Sequence, residues 1–226
     1  MAVNVVEKID EAVKIRRVLA SVSDKNGLDR FIPALVEVNP DVKIYSTGGT
    51  YSAIRGMLGA AAARNLIQVS EYTGQPEMQG GLVKTLDFKI YLGLLSETYN
   101  ADHSADLRRT QAVAIDLVVV NLYPFAQTVA KPDATPEMAR ANIDIGGPCM
   151  VRASAKNFLR VASVTDPADY ERVLSEMRAS GGCLSLKTRF ALAQRAFAHT
   201  AAYDTAIAAY LKSRRFEDVK ACYRFE

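Results

Sequence analysis

Short apolar runs alternate with helical patterns along most of the chain. Val18-Leu19-Ala20-Ser21-Val22 is the first such run, and it ends in the polar turn Ser23-Asp24-Lys25-Asn26-Gly27. Helical spacing of apolar positions follows over 28–38, with Pro33 inside it. A proline there predicts a helix that is kinked or begins late. Val42-Lys43-Ile44-Tyr45 reads as a second strand, ending in Ser46-Thr47-Gly48-Gly49-Thr50, with a helix expected over 51–58. Leu66-Ile67-Gln68-Val69 and Val161-Ala162-Ser163-Val164 read as two more strands. The strongest run is IDLVVVNL at 115–122, continuous and β-branched, as a central parallel strand covered on both faces should be. Thr135-Pro136-Glu137 and Asp166-Pro167 are helix starts: an oxygen-bearing cap followed by proline at the first helical position.

The C-terminal third has a different rhythm. From Ser185, apolar residues recur at helical spacing through Leu186, Phe190, Ala193, Phe197, Tyr203, Ile207 and Tyr210. That pattern predicts one long amphipathic helix, or two joined ones, with this stripe packed into the core. Strands alternating with helices argue an α/β fold, a mainly parallel sheet covered by helices on both faces. No repeat or linker divides the chain, so a single domain over 1–226 is expected, with its core over 18–211. The tail 212–226 and roughly the first ten residues are expected to fray.

Composition narrows the function. The chain has 226 residues with 28 Lys+Arg against 25 Asp+Glu, a formal net charge of +3. That balance lacks the basic excess of a nucleic-acid-binding domain. Three cysteines (Cys149, Cys183, Cys222) and two histidines, none in a CxxC pair, argue against a disulfide framework or a structural zinc site. Glu7 and Lys8 interrupt any signal-peptide core, and Pro124 interrupts the longest uncharged run. A cytoplasmic protein without membrane segments is expected.

In open parallel sheets, ligands bind at the carboxyl ends of the strands. The polar segments after the runs are therefore the candidate site. Thr47-Gly48-Gly49-Thr50 combines glycines, hydroxyls and a following helix start, which suits a phosphate. The same residues could also form a plain turn. A second constellation, Asn142-Ile143-Asp144-Ile145-Gly146-Gly147-Pro148, leads into a helix carrying Arg152 and Lys156, four residues apart and so on one face. Spacing leaves open whether that face is a solvated edge or whether Asp144 and Lys156 meet a substrate.

The segments SVSDKNGL, STGGT, EYTGQPEMQGGLVKTL, IDLVVVNLYPF, NIDIGGPCMVRASAKN and AFAHTAAYD occur in this order. Together, over 18–211, they resemble the IMP cyclohydrolase domain of the bifunctional enzymes that couple AICAR formyltransferase with IMP cyclohydrolase. The resemblance implies a methylglyoxal-synthase-like three-layer α/β/α sandwich that uses no metal and no organic cofactor. It also implies closure of the purine ring of 5-formamidoimidazole-4-carboxamide ribotide (FAICAR), with loss of water, to give IMP. By resemblance, Lys84, Tyr123, Asp144 and Lys156 form the catalytic set. Lys156 would transfer the proton, and the other three would orient the reacting groups. Ser23, Asp24, Lys25, Thr47, Gly48, Gly49, Thr50, Thr85, Asn121 and Gly146 match segments that hold the nucleotide. The implied partners are the nucleotide, a second copy of the chain in a homodimer, and a separate formyltransferase upstream.

One region departs from the family pattern Gly-Arg-Val-Lys-Thr-Leu-His-Pro, which is followed by His-Gly-Gly. Here Leu82 replaces the Arg, Asp87-Phe88 replaces His-Pro, and Tyr91 replaces the later His. Losing the Arg removes a charge-assisted contact to an anion. The rival to an enzyme is a nucleotide-binding or regulatory module, or a subunit of a formyltransferase. Such a module needs the phosphate segments but not the four catalytic side chains together.

Overall fold

The structure, a computed structural model, describes residues 5–75 and 84–226. Five strands form a parallel sheet in the order β4-β3-β2-β5-β6. They are β2 (Arg17–Val22), β3 (Lys43–Ser46), β4 (Leu66–Gln68), β5 (Leu117–Asn121) and β6 (Ala162–Val164). The two central strands pair Val18 with Leu117 through to Val22 with Asn121. A separate antiparallel pair joins β1 (Ala12–Lys14) to β7 (Cys183–Ser185). Apolar patterning over three residues is too short to mark either of these strands in the sequence.

Alternation along the central strands builds two cores. Val18, Ala20 and Val22 with Leu117 and Val119 face one side, where they meet Phe31, Ile32 and Leu35 of α1 (Leu28–Val38) and Val173 and Met177 of α10 (Tyr170–Ala179). Helix α2 (Gly48–Leu58) adds Ile54 to this layer. Leu19, Val118 and Val120 face the other side, against Ile90 and Leu94 of α5 (Phe88–Leu95), Met150 and Val151 of α9 (Gly146–Lys156) and Ala193 and Ala196 of α11 (Leu186–Ser213). The fold is therefore α/β with helices on both faces, and the uniformly apolar β5 is buried on both faces as its composition requires. The remaining helices are α3 (Ala62–Asn65), α4 (Val69–Thr73), α6 (Ala101–Thr110), α7 (Phe125–Val129), α8 (Pro136–Ala141) and α12 (Phe216–Lys220).

Capping follows the local chemistry. Thr135 Oγ1 accepts the Met138 amide at 3.1 Å, and Asp166 Oδ1 accepts the Ala168 amide at 2.9 Å. Asp87 caps α5 by accepting the Lys89 amide at 2.8 Å. This gives the departing Asp87 a structural use. Helix α1 starts at Leu28 rather than late, and runs through Pro33.

Three expectations need correction. Helix α2 begins at Gly48, not at Tyr51, so the two glycines form its first turn rather than a free loop. Helix α11 is a single helix, and its buried face is Thr188, Arg189, Leu192, Ala193, Ala196, Thr200 and Tyr210, so Ala193 and Tyr210 of the expected stripe are buried. Phe190 and Phe197, assigned to the core, are exposed. They are covered on the surface instead, Phe190 edge-on to Phe158 at 5.2 Å and Phe197 under the Arg152 guanidinium at 5.5 Å. Arg189 takes the core position because its guanidinium is satisfied by the carbonyls of Asp10, Glu11, Phe158, Leu159 and Leu184. The tail, expected to fray, carries α12, and the Tyr223 hydroxyl bonds Glu137 of α8. Among the described residues, no helix is long and apolar enough to cross a membrane.

Candidate active site

The carboxyl ends of β2, β3 and β5 and the start of α9 enclose a cleft of about 410 Å³. Two helix N-termini, those of α2 and α9, open onto it through Gly48, Gly49 and Thr50 and through Gly146 and Gly147. Neither N-cap residue, Thr47 or Ile145, lends a side-chain oxygen to its helix. At α2 the Gly48 and Gly49 amides and the aligned peptide dipoles face the cleft, which favours an anion there. At α9 the Gly147 amide is taken by Asp144 Oδ1 and Pro148 has none, so that helix start offers the Gly146 amide.

The segment after β2 is shaped by Asn121. Its Oδ1 accepts the amides of Ser23 at 2.7 Å and Asp24 at 2.9 Å, and its Nδ2 donates to the Asp24 carbonyl at 2.8 Å. Thr50 braces the same strand end, accepting the Val22 amide and donating to the Val22 carbonyl, both at 3.0 Å. The two side chains hold Ser23 and Lys25 at the cleft wall. Asp24 is not at the wall; its Oδ1 is turned to the Asn26 amide at 2.9 Å.

Lys84 and Thr85 line the cleft directly against the two helix starts, Lys84 beside Gly48 and Thr85 beside Gly146. The approach is tight. A Cβ on Gly48 would stand 3.0 Å from Lys84 Nζ, and one on Gly147 would stand 2.5 Å from Asp144 Oδ2. Glycine is therefore required at both positions for the charged side chains to sit where they do. Leu82, the departure from the family pattern, lies outside the described residues.

Asp144 sits one residue before the N-cap of α9. Its Oδ1 accepts the Gly147 amide at 2.8 Å. Burial pushes its carboxyl above the usual range, and the Gly147 and Tyr123 amides only partly offset this. Tyr123 lines the cleft half-exposed. The structure thus brings Lys84, Tyr123 and Asp144 to one cleft, with Ser23, Lys25, Thr47, Gly48, Gly49, Thr50, Thr85, Asn121 and Gly146 around them.

Lys156 is the exception. It is exposed in the last turn of α9. Gly146 stands at the cleft ten residues earlier, and a helix rises about 15 Å over that distance. Sharing a face with Arg152 does not help, because the helix axis carries both cations away from the cleft. Sequence reasoning also passed over Tyr203, placed in the core stripe. Its hydroxyl accepts the Asp144 amide at 2.8 Å and donates to the Asn142 carbonyl at 3.3 Å. The signal was its place in AFAHTAAYD, a polar-ended segment inside a helix whose neighbouring turns read as core.

Residues 27–149 match the family described as MGS-like domain, and residues 154–225 match the AICARFT/IMPCHase bienzyme family. The chain is 50% identical over 199 residues to the bifunctional purine biosynthesis protein PurH of Neisseria meningitidis serogroup A, a match covering 88% of this chain and 36% of that protein. It is 47% identical over 198 residues to PurH of Ruminiclostridium cellulolyticum, covering 88% and 37%. The chain thus spans little more than a third of the length of these curated relatives. Among solved structures, the crystal structure of ForH superposes with a TM-score of 0.71 at 32% identity, over 86% of this chain and 97% of that one.

Proposed function

The chain belongs to the MGS-like domain family, and its residues 154–225 match the AICARFT/IMPCHase bienzyme family; on that premise we propose that it is an IMP cyclohydrolase, closing the ring of FAICAR to IMP with loss of water. The observation that carries the reading is the convergence of Lys84, Tyr123 and Asp144 on one cleft beside two helix N-termini. A nucleotide binder needs the helix N-termini, whereas ring closure also needs a proton acceptor and an oxyanion donor.

The reaction sets the roles. The carboxamide nitrogen attacks the formyl carbon, loses a proton, and leaves negative charge on the formyl oxygen. That oxygen is then protonated to a hydroxyl, which takes a second proton and departs as water while the former formamide nitrogen gives up its hydrogen and forms the C=N bond. Asp144, with a carboxyl made more basic by burial, is suited to take the proton from nitrogen. The Lys84 ammonium and the Tyr123 hydroxyl are suited to the formyl oxygen, where charge appears only as the ring closes. The helix starts at Gly48 and Gly146 and the Lys25 ammonium suit the phosphate. Lys156, at the far end of α9, takes no step in this cleft. The same reading has a formyltransferase supplying the substrate, a homodimer, one cyclohydrolase domain over these residues, and a cytoplasmic setting for the nucleotide chemistry.

The test is absorbance at the purine band with FAICAR as substrate, beside calorimetry with IMP. Formation of IMP at a rate abolished by Lys84→Ala is expected. Tight IMP binding without turnover would make the chain a nucleotide-binding module and would end the catalytic reading.

A further inference from the structure

We infer that Tyr203 is a positioning residue that holds the Tyr123 and Asp144 segments of the cleft in register. This rests on the cyclohydrolase reading for its consequence, but the clamp itself can be measured without substrate.

Tyr203 belongs to α11, none of whose residues lines the cleft, so it acts from behind the wall. Its hydroxyl reaches into the turn before α9, accepting the Asp144 amide at 2.8 Å and donating to the Asn142 carbonyl at 3.3 Å. Those two bonds fix the backbone on both sides of Ile143. The Asp144 carboxylate then has its direction set by the Gly147 amide at 2.8 Å. Backbone and side chain of Asp144 are thus held by different elements.

The ring reaches the second segment. It packs edge-on to Phe125, with centroids 6.2 Å apart and planes at 70°. Phe125 is buried, and its amide donates to the Tyr123 carbonyl at 2.8 Å. Phe125 also meets Tyr210, about two turns further along α11, at 5.8 Å and 89°. Tyr203 therefore touches the turn carrying Asp144 with its hydroxyl and the turn carrying Tyr123 with its ring.

A buried tyrosine hydroxyl usually finds a partner, though that of Tyr210 has none among the described residues. What separates Tyr203 from a merely satisfied core tyrosine is which groups it has found. Its acceptor bond goes to the amide of the residue suited to accept the proton, and its ring contacts the residue two after Tyr123. Burial raises its ionisation above the ordinary phenol value, so it stays protonated and keeps its donor for Asn142. Small misplacements matter in such a cleft: about 1 Å can cost about a hundredfold in rate.

Tyr203→Phe keeps the ring and removes both hydroxyl bonds. Three measurements follow. Hydrogen exchange at the Asp144 amide should speed up at least tenfold, with no ligand present. Turnover should fall about tenfold while KM for FAICAR changes less than twofold. In an Asp144→Asn background, Tyr203→Phe should change the residual turnover less than twofold, because its effect passes through Asp144. Unchanged exchange at Asp144 would overturn the clamp. An equal loss in both backgrounds would show a general structural role instead. If the parent chain has no turnover, the cyclohydrolase reading fails, and the exchange comparison still decides the clamp. Phe125→Leu, which spares the hydroxyl, tests the ring arm: a fall in turnover with Asp144 exchange unchanged is expected, and wild-type turnover would remove that arm.

Discussion

A Cβ on Gly48 would stand 3.0 Å from the Lys84 ammonium, and Gly48 holds its place with φ at +49°. Both facts make a side chain there strained. The left-handed backbone costs a non-glycine residue about 1–2 kcal/mol. The close approach must also be relieved, and the flexible end of Lys84 yields more readily than backbone.

Gly48→Ala should therefore act twice. Thermal unfolding should shift down by about 2–8 °C, from that strain at about 2–4 °C per kcal/mol in a domain of this size. Affinity for IMP should fall by about tenfold, the loss of one well-placed charge-assisted bond. Thermal scanning and calorimetry on the same preparation separate the two effects. Unchanged affinity beside a lowered melting point would mean that the Lys84 ammonium does not touch the nucleotide.

What could be read in the sequence was what periodicity and turn chemistry encode locally. The parallel strands are visible because β-branched runs such as 117–121 mark burial on both faces. Their carboxyl ends then point to the cleft without further information. Asn121 could be placed beside the cleft, but not its work as a three-bond clasp on Ser23 and Asp24, since its partners lie 97 and 98 positions away. Arg189 defeats a hydrophobicity pattern altogether: its partners are five backbone carbonyls, which no side-chain pattern records. Lys156 is a different case, exposed and not among the residues lining this cleft. Its segment matches a family motif, yet a motif carries no distance, and helix rise removes the lysine from the cleft.

Lys156→Ala is accordingly expected to leave turnover within about threefold of the parent, well short of the ~10²–10³ that loss of a preorganised transition-state donor costs. Its exposed position also predicts little change in stability. Steady-state turnover on FAICAR, with circular dichroism for folding, checks this. A loss of a hundredfold or more with the fold intact would place Lys156 in the cleft of a second copy of the chain. Dilution below the dimer dissociation constant should then remove activity in the same way.

Asp144 makes the pH behaviour specific. Burial raises its folded-state pKa above 3.8, so the carboxylate forms only at a pH higher than for an ordinary aspartate. If that carboxylate takes the proton from the carboxamide nitrogen, turnover falls as pH drops through the raised value, and the acid limb has its midpoint above 3.8. The stability consequence has the opposite sense. A folded pKa raised above the unfolded one gives a contribution that is complete below the unfolded value and is lost as pH rises through the folded value. At neutral pH the ionised, half-buried carboxylate therefore costs stability. Asp144→Asn keeps an oxygen for the Gly147 amide and removes the charge. It should raise the melting midpoint at pH 7, because the half-buried charge is gone. The difference should shrink as pH is lowered toward the carboxylate range. Turnover should drop by at least about a hundredfold, with the acid limb gone. Thermal scans of both proteins across pH, beside their pH–rate profiles, provide the measurement. An acid limb at or below the ordinary aspartate value, or an Asn variant less stable at pH 7, would show that Asp144 is a structural cap on α9 rather than the proton acceptor.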